Sequence, residues 1–233
     1  MFDTVGAMTS AVRALPLRDR DARRRLERVA HDACPATLAG DRRLMVADPL
    51  GDLLPDGGVR RGSVITLTGS TGTTSVLLPL LAAATAIGEW AAVAEPGATL
   101  GGAAVVEAGV AIERCAIVRH VPPDRWTVVV AALLEGAALV AAWVPAGVRL
   151  GDARRLVARA RERGAVLVAM ESVPGARSVT WPAEAALRLH VQSGPWHGLE
   201  AGHGLLSERD LQVRVEGKGA AREGLVGVLA AAG

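Results

Sequence analysis

The segment Ser63–Thr85 reads SVITLTGSTGTTSVLLPLLAAAT and constrains the fold more than any other part of the chain. It joins an apolar run to a glycine-rich turn and then to a long stretch of small and apolar residues. A strand, a glycine-rich turn and a helix in this order form a phosphate-binding loop, whose backbone amides cradle phosphate groups. The layout therefore predicts an α/β fold of the nucleotide-binding type, with a strand at Ser63–Thr68 and a helix near Thr74–Gly88.

The residues of this loop depart from the working pattern G-x-x-x-x-G-K-[ST], in which the lysine reaches the β and γ phosphates and the hydroxyl binds Mg²⁺. Gly69 and Gly72 are too close together, and Thr73 occupies the position of the lysine. We therefore do not favour ATP or Mg²⁺ as cofactors. The loop residues that we interpret as vestigial are Gly69, Ser70, Thr71, Gly72, Thr73, Thr74 and Ser75.

Length and composition indicate one core domain built from small aliphatic residues. The chain has 233 residues, no tyrosine and one phenylalanine. Lys218 is the one lysine among 26 basic residues, and the formal net charge of +2 is a weak indication of nucleic-acid binding. Cys34 and Cys115 are lone thiols without metal-ligand spacing. Because the start of the sequence does not resemble a signal peptide, we expect a cytoplasmic protein without disulfides.

The apolar stretch Thr127–Val148 is nearly long enough to span a membrane. Glu135, Gly136 and Pro145 interrupt it. A buried helix followed by a buried strand is the better interpretation, and no membrane partner is expected.

The pattern of the chain changes near residue 44. Residues 1–44 form a helical N-terminal segment, in which Asp19–Ala33 carries arginines on one side and an apolar stripe on the other. We interpret those arginines as a solvated face, with a nucleic-acid contact as the alternative. Residues 45–233 form the core domain.

Strands and helices alternate through the first part of this core. This order predicts a mainly parallel sheet with helices on both faces. After Met170 we expect short strands joined by glycine-rich turns, which extend the sheet in an antiparallel manner. The remaining predicted strands are 91–94, 115–119, 138–142, 165–170, 185–191, 211–215 and 225–229, and the remaining predicted helices are 101–109, 123–135 and 152–163.

The helix at Asp152–Arg163 has the clearest pattern. Asp152 is predicted to cap its start, and Gly164 is predicted to end it in a left-handed conformation. Its apolar residues form one stripe, so its arginines point outward. The predicted stripe contains Ala153, Leu156, Val157 and Ala160.

Several segments together resemble the RecA family across residues 44–230. LGDLLPDGGVRRGSVITLTGS resembles that family's run into its phosphate loop, and AAVAEP resembles a second strand that ends in a catalytic glutamate. Glu95 corresponds to this glutamate. LVAAW, which ends at Trp143, resembles the strand that normally ends in a Mg²⁺-binding aspartate, and GAVLVAME resembles the following strand. The resemblance implies a RecA-like, three-layer core of the phosphate-loop NTPase type.

The chemical groups of the family are not retained at two positions. Thr73 replaces the lysine, and Trp143 replaces the metal-binding aspartate with an indole that has one N–H donor. Phosphoryl transfer depends on positioning and charge stabilisation, so these losses predict a protein without useful turnover. Glu95 remains as a vestigial catalytic candidate, with a solvated carboxylate at a strand end as the alternative that we favour.

Other candidate residues have a structural alternative that we favour. Lys218 resembles a lysine that reaches a neighbouring subunit's nucleotide, but it lies between two glycines and suits a turn. Arg149 and Arg177 are candidate DNA contacts in short loops that follow the fourth and fifth strands. Trp181 and Trp196 are interpreted as packing residues rather than base-stacking residues. The irregular spacing of three histidines, His190, His197 and His203, predicts no metal site.

Among RecA relatives, a shortened, nucleotide-degenerate chain with a small N-terminal segment resembles the ImuA family, of the actinobacterial ImuA′ type. This resemblance implies a non-catalytic adaptor of the DNA-damage-induced mutasome, an assembly for error-prone translesion synthesis. The implied partners are an ImuB-type inactive Y-family polymerase and, indirectly, an error-prone replicative-type polymerase.

Two alternatives remain open at the level of sequence. One is a RecA-like ATPase or recombinase paralogue with a variant loop. The other is a SulA-like inhibitor of cell division, which would bind the division protein FtsZ.

Overall fold

The computed structural model describes residues 43–97, 100–171, 179–200, 203–217 and 220–229. The chain divides into two units, Met1–Asp41 and Arg42–Gly233, and the described residues all belong to the second. The helices predicted in residues 1–42 therefore lie outside the described residues. Residues 43 and 44 do not continue a helical segment, because a strand begins at Arg43.

The core contains ten strands and five α-helices in its described residues. The strands are β1 (Arg43–Met45), β2 (Gly58–Arg60), β3 (Val64–Gly69), β4 (Ala91–Glu95), β5 (Cys115–Arg119), β6 (Leu139–Trp143), β7 (Val166–Met170), β8 (Leu187–Glu200), β9 (His203–Gly217) and β10 (Ala220–Leu229). The helices are α1 (Leu50–Leu53), α2 (Thr73–Ala86), α3 (Gly102–Glu107), α4 (Trp126–Leu133) and α5 (Leu150–Arg163).

Eight strands form one mostly parallel sheet in the order β10-β9-β8-β3-β7-β6-β4-β5. Strands β3 to β8 are mutually parallel, whereas β9 is antiparallel to both β8 and β10. This arrangement confirms the predicted mixed α/β class, with a mainly parallel sheet and an antiparallel extension. Strands β1 and β2 form a separate two-stranded sheet that was not predicted.

Two apolar layers cover the sheet, one on each face. On face A, helices α1, α2 and α3 pack against alternate strand residues such as Ile65 and Leu67. On face B, helices α4 and α5 pack against the intervening residues, such as Val64 and Leu167. Alternate side chains of a strand point to opposite faces, so the strands in the middle of the sheet are apolar on both sides. The predicted arrangement of helices on both faces is confirmed.

Helix α5 ends as predicted but begins earlier. Gly164 ends it with φ of 65°, which is the left-handed conformation that glycine adopts without strain. The capping residue at the start is Arg149, and no side chain caps the helix there. The predicted cap at Asp152 is therefore wrong. Asp152 lies in the first turn, where its negative charge still favours the positive end of the helix dipole.

The C-terminal strands are much longer than predicted, with 14, 15 and 10 residues in β8, β9 and β10. Only one face of the β8–β9 pair is apolar. Face A carries Leu187, Leu189 and Val191 from β8, whereas Arg188 and His190, on the opposite face, are partly exposed. An antiparallel sheet tolerates such a water-facing side.

The apolar stretch at Thr127–Val148 contains helix α4 and strand β6 rather than a single long helix. No helix in the described part of the chain has both the length and the apolar character that a membrane span requires.

Replacing Gly72 by alanine is expected to destabilise the fold more than replacing Gly147. Both glycines have φ of +85°, so alanine is strained at either position, by about 1–2 kcal/mol. A Cβ atom at Gly72 would also lie 2.5 Å from Leu211 Cδ2, whereas a Cβ atom at Gly147 would meet nothing within 4 Å. We expect Gly72→Ala to lower the free energy of unfolding by about 1–3 kcal/mol more than Gly147→Ala.

Urea denaturation of the two variants and the parent protein measures this difference. Equal losses of stability in the two variants would show that the loop does not pack against β9 as described.

Candidate functional site

The loop after β3 is shorter than a working phosphate-binding loop. Strand β3 ends at Gly69 and helix α2 begins at Thr73, so only Ser70, Thr71 and Gly72 connect them. The working pattern has four residues between its glycines, and their amides wrap around a phosphate group. With two residues between its glycines, this loop has less backbone to form such a cradle.

The backbone of this loop also lies directly against strands β8 and β9. A Cβ atom on Gly69 would lie 2.4 Å from the carbonyl oxygen of Val191, and one on Gly72 would meet Leu211. Neither position has room for a side chain. Glycine is therefore required here by close packing against the sheet, which accounts for the glycine-rich sequence without a ligand.

The side chain of Thr73, at the lysine position, is buried. It lies beneath the loop, with its Cγ2 atom 3.2 Å from the position of a Cβ atom on Gly69. Thr74 and Ser75 are partly exposed at the start of α2. Thr74 and Ser75 are thus more exposed to solvent than Thr73.

An arginine from a distant part of the sequence holds the tip of the loop. Arg209, on β9, donates a hydrogen bond to Thr71 Oγ1 at 3.0 Å and another to the hydroxyl of Ser193. Its guanidinium also lies over the ring of Trp196, 5.1 Å from the ring centroid. A cation over an indole ring is a favourable contact. These contacts fix Arg209 between the loop and the β8–β9 pair.

Trp143 closes the end of β6 on face A. Its side chain is buried in the face A core, and the residue pairs in register with Met170 of β7. Its indole Nε1 has no hydrogen-bond partner among the described residues. An indole cannot ligate Mg²⁺, which takes oxygen ligands. The volume at this strand end is filled by a large apolar ring.

Glu95 is buried, with 1% of its surface exposed, so the favoured interpretation of a solvated carboxylate is wrong. Its Oε1 forms an ion pair with Arg119 Nε at 2.8 Å, and its Oε2 accepts a hydrogen bond from the backbone N–H of Leu100 at 3.1 Å. Arg119 lies on β5, opposite Glu95 in the parallel register. A buried carboxylate needs such partners, because an unpaired charge in the interior is very costly.

Glu95 and Trp143 are neighbours at the place where an α/β sheet usually binds its ligand. The chain continues from β4 to β5 on one side and from β6 to β7 on the other, and β4 and β6 are adjacent. Ligands tend to bind in the crevice beyond the carboxyl ends of two such strands. Here Glu95 with its arginine and the indole of Trp143 occupy these strand ends.

The remaining predicted candidates are not brought together. Arg149 is exposed where α5 begins, and Arg177 and Lys218 lie outside the described residues. Trp181 is buried and contacts Trp126 edge-on, which confirms its packing role, whereas Trp196 is exposed.

Two of the three histidines have acidic neighbours across the β8–β9 pair. His190 lies 3.7 Å from Glu216, and His197 lies 2.9 Å from Asp210. The side chain of His203 lies outside the described residues. The described residues contain no group of three or more metal-binding side chains.

Two arginines of this region were not predicted as site residues. Arg119 ends an apolar strand, and a charge at that position next to a strand ending in glutamate was a usable signal. Arg209 gave no local signal, because it contacts Thr71 across 138 residues of sequence. Neither role follows from the RecA resemblance.

Replacing Arg119 by methionine is expected to destabilise the protein by about 2–3 kcal/mol. The change leaves the Glu95 carboxylate buried without its cation, and the cost falls below that of a fully buried pair because Arg119 is half-exposed. The exposed pair of Arg155 and Asp152 gives a matched control. Arg155→Met should cost less than about 1 kcal/mol.

Chemical denaturation at neutral pH measures both changes. Adding Glu95→Gln to Arg119→Met should recover part of the loss, since the remaining side chain is then uncharged. An Arg119→Met variant as stable as Arg155→Met would contradict the assigned ion pair.

A comparison with known families places this site within a recognised domain. The MT3502 N-terminal domain family matches residues 52–175, just over half of the chain. The matched range contains the loop after β3, Glu95 and Trp143, and it ends before β8. A search of curated proteins found no match. The chain therefore belongs to the MT3502 N-terminal domain family.

Proposed function

We propose that this protein is a RecA-like core of the ImuA′ type that has lost phosphoryl transfer and acts as an adaptor in the DNA-damage-induced mutasome. In this role it binds an ImuB-type inactive Y-family polymerase and supports error-prone translesion synthesis by a replicative-type polymerase. The proposal combines the sequence resemblance with the geometry of the strand ends, and each part has its own support.

The sheet order supports the RecA-like part of the proposal. Strand β3, which carries the glycine-rich loop, lies inside the sheet, and the strands that end in Glu95 and Trp143 are adjacent. In a phosphate-loop enzyme, the loop, the catalytic glutamate and the metal-binding aspartate must converge at one end of the sheet. The corresponding positions in this chain all lie at the carboxyl ends of parallel strands.

One observation carries the non-catalytic part of the proposal. The residues at the positions of the lysine, the aspartate and the glutamate are all buried in the core or paired with another side chain. Thr73 is buried under a short loop, Trp143 fills its strand end, and Glu95 is bound to Arg119. Each group that would stabilise charge on a transferring phosphoryl group is missing or already engaged. Loss of a single charge-stabilising group typically costs a hundredfold or more in rate.

Strand β5 is the surface that we assign to the partner. It is the last strand of the sheet and pairs with β4 alone. Its side chains from Cys115 to Val118 are apolar and partly exposed. Natural proteins usually protect such an edge with charges, proline or a bulge, and β5 contains no proline and pairs with β4 without a bulge.

Exposed apolar side chains also occur on the elements that precede and follow β5 in the chain. Ile112, just before β5, Val106 on α3 and Val128 on α4 are each more than half exposed. Burial raises the pKa of the Cys115 thiol, so this side chain stays neutral at physiological pH. The four residues from Cys115 to Val118 form an uncharged stretch of this edge, between Arg114 and Arg119. Such a stretch is suited to an extended segment of a partner, which would add a strand to the sheet.

Copurification with a tagged ImuB-type polymerase tests this proposal. We expect the parent protein to be retained, and the double variant Ile112→Lys, Val128→Lys to be lost, because two charges would be buried against the partner. The matched control is Met45→Lys, Leu150→Lys, which adds the same charge at exposed apolar residues of other elements and should be retained.

Two results would overturn the proposal. One is a parent protein that is not retained by the polymerase, above all if it is retained by FtsZ, which would favour the division-inhibitor alternative. The other is equal retention of the two double variants, which would remove the partner from the β5 edge.

Steady-state hydrolysis of MgATP is expected not to exceed that of a protein-free blank. Thr73→Lys should not create activity, because the shortened loop lacks the backbone that wraps a phosphate group. The measurement is phosphate release, with the fold of each variant checked by circular dichroism. Mg²⁺-dependent turnover that is lost in a folded Glu95→Gln variant would favour the ATPase alternative.

A further inference from the structure

Strand β5 has fewer buried contacts than the inner strands of the sheet. It pairs with β4 alone, and none of its five residues is buried. By contrast, every residue of β6 and β7 is buried. Local unfolding concentrates where buried contacts are few. The position of β5 therefore depends on contacts at its ends as well as on its backbone hydrogen bonds with β4.

A network around Glu95 supplies such contacts at the carboxyl end of β5. The side chain of Glu95 is fully buried and forms an ion pair with Arg119, the last residue of β5. It also accepts the backbone N–H of Leu100, and Arg119 Nη2 donates to the carbonyl oxygen of Leu100 at 3.5 Å. We call Glu95, Arg119 and the backbone of Leu100 the Glu95 network. One carboxylate thus joins the ends of β4 and β5 to the segment that leads into α3.

Burial makes this network the stronger of the two end contacts of β5. At the other end, Arg114 donates a hydrogen bond to the carbonyl oxygen of Gly88 at 2.7 Å, and this contact is exposed. Water competes for exposed groups, whereas a hydrogen bond is electrostatically stronger in the interior. A buried carboxylate that loses its partners also leaves an uncompensated charge. Detaching the carboxyl end of β5 is therefore opposed mainly by Glu95.

We infer that Glu95 is a positioning residue for the edge that binds the partner. Through Arg119 it holds β5 in the extended form, aligned with β4, that an added strand requires. The inference rests on the proposed function, because that function assigns β5 to the partner. Strand addition uses the backbone N–H and C=O groups of the edge. An edge that is already ordered loses less conformational freedom when the partner binds, so binding is tighter.

A positioning role differs from a general contribution to stability. Breaking the Glu95 network frees β5, while β4 remains paired with β6 in the rest of the sheet. Val168, on β7, is buried, and β6 and β4 lie between it and β5. Replacing Val168 by alanine lowers the stability of the whole core but leaves the contacts of β5 intact. Val168→Ala is therefore a matched control for Glu95→Gln.

Labelling of Cys115 measures the freedom of β5 in the absence of a partner. Cys115 is the first residue of β5, and the other cysteine, Cys34, is replaced by serine in every variant. Glu95→Gln should raise the rate of reaction with N-ethylmaleimide about five- to tenfold, because β5 opens locally more often. Val168→Ala should change this rate less than about twofold, because its contacts are distant from β5. Mass spectrometry follows the reaction.

A second variant keeps the test valid if Glu95→Gln alone does not fold. Glu95→Gln with Arg119→Gln removes both charges, so neither is left without its partner, and it should raise the labelling rate to a similar extent. Circular dichroism confirms that each variant is folded, and urea denaturation measures its overall stability.

Titration of the same variants with the ImuB-type polymerase connects the position of β5 to binding. Glu95→Gln should weaken binding about five- to tenfold, because the partner must then order the edge. Val168→Ala should weaken it less than about twofold. A parent protein that does not bind the polymerase would contradict the proposed function, whereas the labelling rates still decide whether Glu95 holds β5.

Three results would overturn the inference. The first is a Cys115 labelling rate that does not change when Glu95 is replaced. The second is an equal rise in the Val168→Ala variant, which would show that only overall stability matters. The third is a Glu95→Gln variant that binds the polymerase as tightly as the parent although its labelling has increased.

Discussion

A parallel sheet covered on both faces imposes one requirement on its inner strands, which is that nearly every side chain must be buried. Strands β6 and β7 meet it with apolar residues on both faces, and β3 does so except at the buried Thr66. A charged group at the end of such a strand is stable only with a partner at hydrogen-bonding distance. Arg119 provides this partner for Glu95, and the positions next to Glu95 are filled by apolar residues.

The same requirement of burial explains the glycine-rich loop after β3. Gly69 and Gly72 are fixed by contact with Val191 and Leu211, and Thr73 is fixed by burial. The geometry of strand, turn and helix thus supports the sheet itself. At the end of β6, the buried indole of Trp143 likewise packs into the face A core.

The sequence was sufficient to predict the inner strands, because continuous apolar runs between turn residues have few other interpretations. Inner strand β6 differs from its prediction by one residue at each end, and the edge strand β5 matches its prediction at both ends. The start of α5 was missed because Asp152 is an equally good residue for a cap and for a first turn. The lengths of β8, β9 and β10 were missed because one side of the β8–β9 pair is polar and its glycines suggested turns.

The candidate site was less predictable than the fold. The positions that correspond to the lysine and aspartate of the RecA family lie in short segments of sequence. Thr73 and Trp143 were therefore identified from those segments alone. The state of Glu95 depends on Arg119 in another strand, and the state of the loop depends on Arg209, far away in the sequence. Pairings between distant strands decide burial, and no local pattern encodes them.

The contact of the loop with β8 and β9 also has a consequence for synthesis of the chain. Strand β3 is made early, but two of the residues that seal its loop, Val191 and Leu211, emerge much later. The face A core cannot close until both have left the ribosome. A chain that ended with the family segment, at residue 175, would leave β3 as an open sheet edge with an exposed apolar face. The family match therefore delimits a region of shared sequence rather than a unit that completes its own core.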